Sequence, residues 1–467
     1  MINIGKNRQL FTDDSLIDKT RTTAEARTFE PIKRECVFRF DAEWENWDVV
    51  YQNIVRMPDG SYRMYYKGTQ HGGMRRICYI ESRDGIHWTR PALDTNIQNG
   101  GLTNIVSSEN SSPDNLYVFW DTNPACPENE RLKGIYGQWG DALFYIPSDK
   151  DGNFFDYSRG VRMMTKRETG CYFDSLNTVY WDNERGKYVA FVRGFHLGDD
   201  YSPDDPDAEG NVRDIRYSES EDFINWTIPK PLKYNDEYDY QLYANAVTPY
   251  YRAKGLYVAM PTRYIERPWS NAFEGLCGAE DRRHRHRGTS LNDAIFMSSR
   301  SLTEWHRFSE AVITSGPEQE NNWVYGDCYP CVGFIESPST VPGCQNELSF
   351  YMKEQEENSC HVLYRYTLRV DGFVARSAPF EGAILATKPF VFEGDELEIN
   401  FKSSAVGGIQ VVLKDEEGNK IRSLPFFGND TCRKVIFESG SVADFAGKPA
   451  ILVFKMVDAS VYSFKFN

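Results

Sequence analysis

A ten-residue pattern recurs along this chain and constrains its fold more than any other feature. Each clear copy begins with an aromatic residue, continues through serine and acidic or small residues, and ends in tryptophan. The clear copies begin at Tyr79, Tyr217 and Phe296, and weaker copies lie at residues 145–152 and 364–372. Successive intervals are 66, 72, 79 and 70 residues when measured from Tyr79, Tyr145, Tyr217, Phe296 and Tyr366. We therefore predict five similar units.

Each unit contains several strands separated by turns. Residues 50–56 and 62–67 alternate in polarity with a period of two on either side of a Pro-Asp-Gly turn, and residues 177–182 and 187–193 repeat this plan. A four-stranded unit cannot bury both of its faces alone, so neighbouring units must stack around an axis, as in a β-propeller. The predicted fold is all-β, with a five-bladed propeller over residues 1–377. Two unrelated β-sandwiches with similar turns are the alternative.

The pattern changes after about residue 378. Residues 396–401, 409–414 and 451–457 form short alternating segments separated by turns. Too few residues remain for another blade of the same length together with ring closure. A C-terminal β-sandwich over residues 378–467 is therefore predicted, since such modules contain about 100 residues.

Charge limits the classes of partner. The chain has 467 residues with 53 Lys and Arg against 68 Asp and Glu, a formal net charge of −15. Nucleic acids and anionic membranes bind basic surfaces, so we expect neither as a partner. No apolar run approaches the ~20 residues of a membrane span, and the polar N-terminus lacks the apolar centre of a signal peptide. We expect a cytoplasmic protein that binds a small molecule, and homo-oligomerisation is left open.

The ten cysteines do not form a metal-site pattern. Cys328 and Cys331 are the only close pair, and neither a second pair nor a neighbouring histidine completes a zinc site. The sequence also lacks the glycine-rich phosphate and dinucleotide loops and the His-Glu-x-x-His and Gly-x-Ser-x-Gly motifs. We therefore expect no cofactor and no metal.

Several short segments are similar to those of one enzyme superfamily. They read DGSYRMYY at 59–66, ESRDGIHW at 81–88, FDSLN at 173–177, YAN at 243–245, RVDGF at 369–373 and TKP at 387–389. From about Phe38 onward the chain resembles the five-bladed propeller glycoside hydrolases, which include families 32, 43, 62, 68 and 117. It is more closely similar to bacterial proteins described as family-32-N-terminal-like. Because these segments mark blade edges, they transfer the fold more safely than the activity.

Acidic residues precede the innermost strand of most units. The corresponding positions are Asp48, Asp114, Asp174, Gln241 and Asp327, spaced by 66, 60, 67 and 86 residues. Inner strands of a propeller converge on one end of the axial channel, so we expect these side chains to meet there. A solvated loop carboxylate or a turn cap is the alternative for each acid.

A group of carboxylic acids at one mouth suits glycoside hydrolysis. Neighbouring carboxylates raise one another's pKa, and the reaction needs one protonated acid and one ionised carboxylate. The resemblance implies that Asp48 is the base or nucleophile, that Asp114 is auxiliary and that Asp174 donates the proton. Glu45 competes with Asp48 for the first role.

One departure from the superfamily puts the proton donor in doubt. The superfamily usually presents a glutamate in a middle blade, where this chain has Asp174, and the next unit has the uncharged Gln241. Glu237 and Asp239, a few residues upstream of Gln241, are the alternatives, and a missing donor is another.

Flat aromatic faces and polar side chains beside these acids are candidates for binding a sugar. Core positions and salt bridges are the alternatives. The predicted substrate-binding residues are Glu45, Trp47, Arg193, Gln241, Tyr243, Arg263, Trp323 and Asp327.

Two charged insertions adjoin the predicted channel. Residues 282–287 read RRHRHR and could attract an anionic sugar, whereas residues 199–207 are acidic and could hold a cation. Solvated loops are the alternative for both.

The predicted function is a glycosidase that cleaves a short oligosaccharide with a pair of carboxylic acids. A phosphorolytic glycosidase and a non-catalytic sugar-binding propeller are the alternatives.

Overall fold

The computed structural model describes residues 1–108, 115–138, 140–198, 211–276, 288–319, 321–355 and 361–467. Asp114 and the two charged insertions, at 199–207 and 282–287, lie outside the described residues. Strands dominate, and the predicted all-β class and propeller arrangement are confirmed. No helix in the described ranges has the length and apolar character that crossing a membrane requires.

The strands of the first part of the chain include three sheets of the propeller and a separate hairpin. The N-terminal strands are β1 (Ile2–Gly5), β2 (Gln9–Leu10), β3 (Glu25–Thr28) and β4 (Ile32–Phe40). The first sheet is β5 (Asp48–Arg56), β6 (Tyr62–Thr69) and β7 (Arg75–Ser82), followed by the hairpin of β8 (Leu93–Gln98) and β9 (Gly101–Thr103). The second is β10 (Tyr117–Trp120), β11 (Leu132–Gln138), β12 (Ala142–Pro147) and β13 (Val161–Thr165). The third is β14 (Thr178–Asp182), β15 (Lys187–Leu197), β16 (Asn211–Ser220) and β17 (Lys230–Pro231).

Two further sheets follow along the chain. The fourth contains β18 (Lys233–Tyr234), β19 (Gln241–Ala244), β20 (Val247–Pro249), β21 (Tyr257–Ala259), β22 (Thr262–Glu266), β23 (Ser290–Ser299) and β24 (Glu304–Ile313). The fifth contains β25 (Ile335–Ser337), β26 (Glu347–Gln355) and β27 (His361–Arg369), and β4 from the N-terminal segment completes it. Short helices are α1 (Lys166–Thr169), α2 (Asn271–Glu274) and the 3-10 turns Glu43–Glu45, Glu128–Glu130, Tyr157–Arg159 and Val442–Phe445.

The recurring sequence pattern builds the same turn in three sheets. In the first copy the Ser82 hydroxyl accepts a hydrogen bond from Gly85 N at 2.9 Å, and the Trp88 indole donates to Gly85 O at 3.2 Å. The same two bonds recur at Phe223 and Leu302, which occupy the position of Gly85. All three residues have φ between +70° and +74°. The pattern is therefore a structural turn that buries an aromatic side chain.

Hydrogen bonds between neighbouring sheets close the five sheets into a cycle. Each bond joins a side chain or backbone N–H of one sheet to a carbonyl of the next. They are Asn53 to Val118, Asn115 to Asp174, Asn245 to Leu176, Thr262 to Cys328 and Ile54 to Val332. Because the last bond returns to the first sheet, the five sheets surround one axis.

The C-terminal strands form a separate sheet. They are β28 (Val374–Ala378), β29 (Ala383–Ala386), β30 (Phe390–Phe392), β31 (Leu397–Asp415), β32 (Lys420–Arg422), β33 (Asn429–Lys434) and β34 (Ala450–Phe466). Long strands β31 and β34 pair with each other, and Phe401, Phe454 and Phe464 lie in the buried core. These strands and β1, β2 and β3 are hydrogen-bonded into one ten-stranded sheet. The two-layer sandwich stays a prediction.

The N-terminal segment differs from the predicted division at residue 378. Strand β1 pairs with β30, β2 with β34 and β3 with β28, so the first 28 residues join the C-terminal sheet rather than the propeller. These pairings join residues more than 340 positions apart, for example Ala26 and Arg376. Local sequence patterns carry no information about such partners.

A buried carboxylate joins the propeller to the C-terminal sheet. Asp371 is fully buried and accepts hydrogen bonds from Tyr250 Oη at 2.7 Å, Arg252 Nε at 2.9 Å and Ser463 Oγ at 2.8 Å. Arg8 of the N-terminal segment lies 3.5 Å away. One carboxylate thus connects three parts of the chain.

We expect Asp371→Asn to lower the free energy of unfolding by about 2 kcal/mol, because hydrogen bonds to a buried charge are weakened, although Arg8 and Arg252 keep Glu398 and Glu336 as partners. Asparagine tolerates the positive φ of this position, so backbone strain adds little. Thermal and urea unfolding measure the change. The exposed Asp151→Asn is the control, and equal stability of the two variants would show that the junction does not depend on this charge.

Candidate functional site

The described inner-strand positions lie at one end of the axis. Asp48 and Gln241 are the first residues of β5 and β19, whereas Asp174 and Asp327 precede β14 and β25. A parallel bridge from Asn53 to the segment before β25 shows that neighbouring inner segments run in the same direction. Their starting ends therefore face the same mouth.

A buried arginine occupies the axis at this mouth. Arg193 extends from β15, its side chain is 2% exposed, and its Nη1 lies 3.2 Å from Asp174 Oδ1. Its guanidinium also lies 4.4 Å from the ring centre of Tyr243 on the fourth sheet. Burial alone would lower the pKa of this guanidinium, but the Asp174 carboxylate and nearby phenols outweigh burial and raise it. Arg193 is thus a permanent buried cation.

Four tyrosines from three sheets surround this cation, and we call them the axial tyrosine cluster. They are Tyr51, Tyr243, Tyr325 and Tyr329. The hydroxyls of Tyr243 and Tyr325 are 2.6 Å apart, and the ring of Tyr329 lies 5.7 Å from Tyr243 and 6.3 Å from Tyr51. Because Asp174 belongs to a further sheet, groups from four of the five sheets meet at Arg193.

The cluster has uneven acidity. Burial raises the pKa of the Tyr51 and Tyr329 phenols well above the ordinary value. Burial acts in the same direction on Tyr243, but the Arg193 charge and the hydrogen bond to Tyr325 outweigh it and lower the pKa of Tyr243. Tyr243 therefore gives up a proton more readily than Tyr51 or Tyr329.

A second polar group lies at the junction of the first and fifth sheets. Lys353 Nζ is 3.6 Å from Asp48 Oδ1, and the Asp48 side chain is 40% exposed. His361 Nε2 lies 3.0 Å from the carbonyl oxygen of Trp47, and burial followed by the Lys353 charge lowers the pKa of this histidine. Asp48 therefore stands beside one cation at the rim.

Asp327 adjoins this second group and has a different electrostatic environment. It lines a small cavity of about 40 Å³ together with Lys353, and its Oδ2 accepts a hydrogen bond from Val324 N at 3.3 Å. Burial raises the pKa of Asp327, although the hydrogen bond from Val324 and the Lys353 charge oppose this effect. Asp327 is thus the described mouth carboxyl that burial favours in its protonated form.

Two predicted sugar-binding residues have structural partners instead. Glu45 is fully buried, with Arg90 Nη2 at 2.6 Å and a hydrogen bond from the Tyr66 hydroxyl. Arg263 forms a two-point ion pair with Asp293, at 2.8 and 2.6 Å. Neither side chain offers free polar atoms of the kind that a sugar hydroxyl needs, so we leave both out of the candidate site.

Trp47 and Trp323, which were also predicted to bind a sugar, lie in different settings. Trp47 is 57% exposed, and its ring packs 5.2 Å from that of His71. The Trp323 indole donates a hydrogen bond to Gly316 O at 2.9 Å, which fixes the ring in the loop before Asp327. Trp47 thus presents an apolar face to solvent, whereas Trp323 supports the loop.

Sequence reasoning missed Arg213 and Lys353. Arg213 on β16 donates to the side chain of Gln241 at 2.5 Å and lies 5.2 Å from the ring centre of Tyr243. Strand register could have identified it, because Arg213 pairs with Phe195, two residues along β15 from Arg193, and so shares its face. Lys353 carries no comparable local signal. In the described ranges, no group of three or more His, Cys, Asp or Glu side chains is placed to hold a metal ion.

Comparison with known proteins gives structural likenesses only. No protein-family model matches the sequence, and no curated protein matches it. The structure of an N-acetylgalactosamine deacetylase from F. plautii matches with a TM-score of 0.44 at 10% identity, over 73% of this protein and 96% of that one. A family-62 α-L-arabinofuranosidase from Coprinopsis cinerea matches with 0.42 at 11%, over 73% and 97%. A family-32 β-fructofuranosidase from Bombyx mori matches with 0.40 at 10%, over 94% of each protein. Glycoside hydrolases are thus among the similar structures, but these identities and scores assign no activity to this protein.

A histidine at the rim is held between two carboxylates. His196, at the end of β15, lies 3.1 Å from Asp214 through Nδ1 and 2.9 Å from Asp239 through Nε2. The hydrogen bond to Asp214 is the largest effect on its pKa, and with Asp239 it outweighs burial and raises the pKa to about 9. Asp239, an alternative proton donor in the sequence analysis, is therefore the partner of a cation.

We expect His196 to stay protonated to about pH 9, which NMR titration of its ring can measure. Because its folded pKa lies above the unfolded value of about 6.5, its stabilising contribution is complete below pH 6.5 and is lost as the pH rises through 9. Asp214→Asn should shift the titration of His196 to lower pH. An unchanged titration in that variant would contradict the assigned cause.

Proposed function

We propose that this protein is a glycoside hydrolase that binds a short oligosaccharide at the axial mouth. The observation that supports this function best is the convergence of Asp174, Arg193 and the axial tyrosine cluster from four sheets on one axis. Carbohydrate sites combine aromatic faces with charged and hydroxyl groups, and glycoside cleavage needs carboxyls in unlike environments.

Asp48 and Asp174 are the candidates for the ionised carboxylate. Each side chain is 40–46% exposed, and each stands beside one cation, Lys353 or Arg193. Pairing with a cation suits a carboxylate that acts as a nucleophile or as the base that activates water. Asp114 remains a predicted auxiliary acid.

Asp327 is our candidate for the proton donor, in place of the Asp174 assignment made from sequence. Burial raises its pKa, whereas Asp174 is paired with a permanent cation. In the sequence, Asp327 lies between Tyr325 and Tyr329, which both belong to the axial tyrosine cluster. The loop that carries Asp327 therefore contributes side chains to the mouth. A general acid must hold its proton at the working pH, which this environment favours.

Asp48→Asn and Asp174→Asn test the carboxylate roles. If these groups act in the reaction, each change should lower kcat by about 10²- to 10⁴-fold on whichever member of an aryl-glycoside panel is cleaved, including arabinofuranosides and fructosides. Asp151→Asn, on an exposed turn, is the control with the same chemical change. Sugar binding without turnover in the wild type would instead identify a non-catalytic binding protein.

Asp327→Asn tests the donor through the pH dependence of kcat/KM. If Asp327 donates the proton, activity should fall as the pH rises through its raised pKa, because the reactive form is the protonated one. The variant should lose this alkaline limb, and aryl glycosides with acidic leaving groups should retain more activity than those with basic ones. An unchanged alkaline limb would exclude Asp327.

A further inference from the structure

We propose that the axial site takes a sugar that bears a carboxylate and that Arg193 binds this carboxylate through two N–H groups. The inference rests on the proposed glycosidase function and names its substrate class as acidic sugars. It is carried by the guanidinium of Arg193 and by the charges that surround it.

The first observation concerns which nitrogen atoms of the Arg193 guanidinium have hydrogen-bond partners. Arg193 is 3% exposed and contacts Asp174 through Nη1 alone. Its Nε and Nη2 are buried and have no hydrogen-bond partner in the described part of the chain. These two atoms share one edge of the planar guanidinium, and this edge fits the two oxygens of a carboxylate. Buried donors are normally satisfied, so a partner for this edge is expected.

The second observation is that aromatic rings pack against this guanidinium. Its centre lies 4.4 Å from the ring centre of Tyr243 and 5.6 Å from that of Phe195. The hydroxyl of Tyr243 is in turn bonded to that of Tyr325 at 2.6 Å. A buried arginine packed between fixed groups loses little freedom on binding, which suits recognition of a planar anion.

The third observation is the local charge. Arg193 and Arg213 both lie within 5.2 Å of the Tyr243 ring centre, and Lys67 Nζ lies 5.3 Å from that of Tyr51. Asp174 forms an ion pair with Arg193 in this group. Three cationic side chains therefore lie close to the axial tyrosine cluster, and Arg193 among them is the one whose charge a bound carboxylate would meet.

A ligand would approach from the side of Asp174, whose side chain is 46% exposed while Arg193 beneath it is covered. Binding therefore requires the side chains that cover this edge to move. Inorganic phosphate can also present two oxygens to this edge and is the nucleophile of the phosphorolytic alternative, so the experiment includes it as a separate arm.

Matched pairs of ligands test the proposal in the full-length protein. Glucuronate and galacturonate are compared with glucose and galactose, which differ only in carrying a hydroxymethyl group in place of the carboxylate, and inorganic phosphate is titrated separately by calorimetry. We expect at least one uronate to bind about tenfold or more tightly than its neutral partner. Arg193→Lys keeps the charge but removes the two-donor edge, and it should abolish this preference.

Two controls separate loss of recognition from loss of folding. Thermal unfolding of Arg193→Lys checks that the variant is folded, and Arg185→Lys changes an arginine on the β14–β15 turn, far from the mouth. Arg185→Lys should keep the uronate preference. Equal binding of uronate and neutral sugar by the wild type, binding of phosphate alone, or retention of the preference in folded Arg193→Lys would each overturn the inference.

The outcomes also distinguish this inference from the proposed function. Cleavage of neutral aryl glycosides without any binding of uronates would support the glycosidase function and contradict the acidic substrate class. Uronate binding that depends on Arg193, without cleavage of either aryl uronides or neutral glycosides, would support the binding site and contradict the hydrolase function.

Discussion

Closure of the five sheets into a cycle is the constraint on which the other features of this protein depend. No single sheet can bury both of its faces, and the bonds between innermost segments, such as Asn53 to Val118 and Ile54 to Val332, hold each sheet against the next. The fifth sheet is complete only when β4 from the N-terminal segment pairs with β27. The segment that precedes β4 pairs with the C-terminal sheet, so the strand that completes the ring is continuous with strands of that sheet.

The same closure creates the chemistry at the axis. Residues that start separate inner segments are brought together, and Arg193 becomes buried among phenols and beside Asp174. A buried charge is stabilised only by fixed partners, so the tyrosines and Asp174 must keep their positions. Such a fixed cation can orient a ligand, and it also lowers the pKa of Tyr243. The electrostatic environment of the mouth is thus a consequence of the ring.

Parts of the candidate site followed from repeat spacing alone. Equivalent positions in successive units identified Asp48, Asp174, Gln241 and Asp327 before any contact was known, because repeated units place equivalent residues at equivalent ends of their strands. Spacing could not tell Asp327, whose burial favours the protonated form, from Asp48 beside Lys353. It also could not show that Arg263 is held by Asp293, because ion pairs depend on distances within the folded chain.

By itself, the sequence determined the strand-rich class, the repeat and the ring of similar units, because period-two alternation and recurring turns are local properties. The turn built by Ser82, Gly85 and Trp88 needs no distant partner, and its copies could be counted. Only the tertiary structure decided that the first 28 residues join the C-terminal sheet and that Arg193 keeps two donors without a partner in the described part of the chain. Both depend on contacts between segments far apart in the chain, which no local pattern encodes.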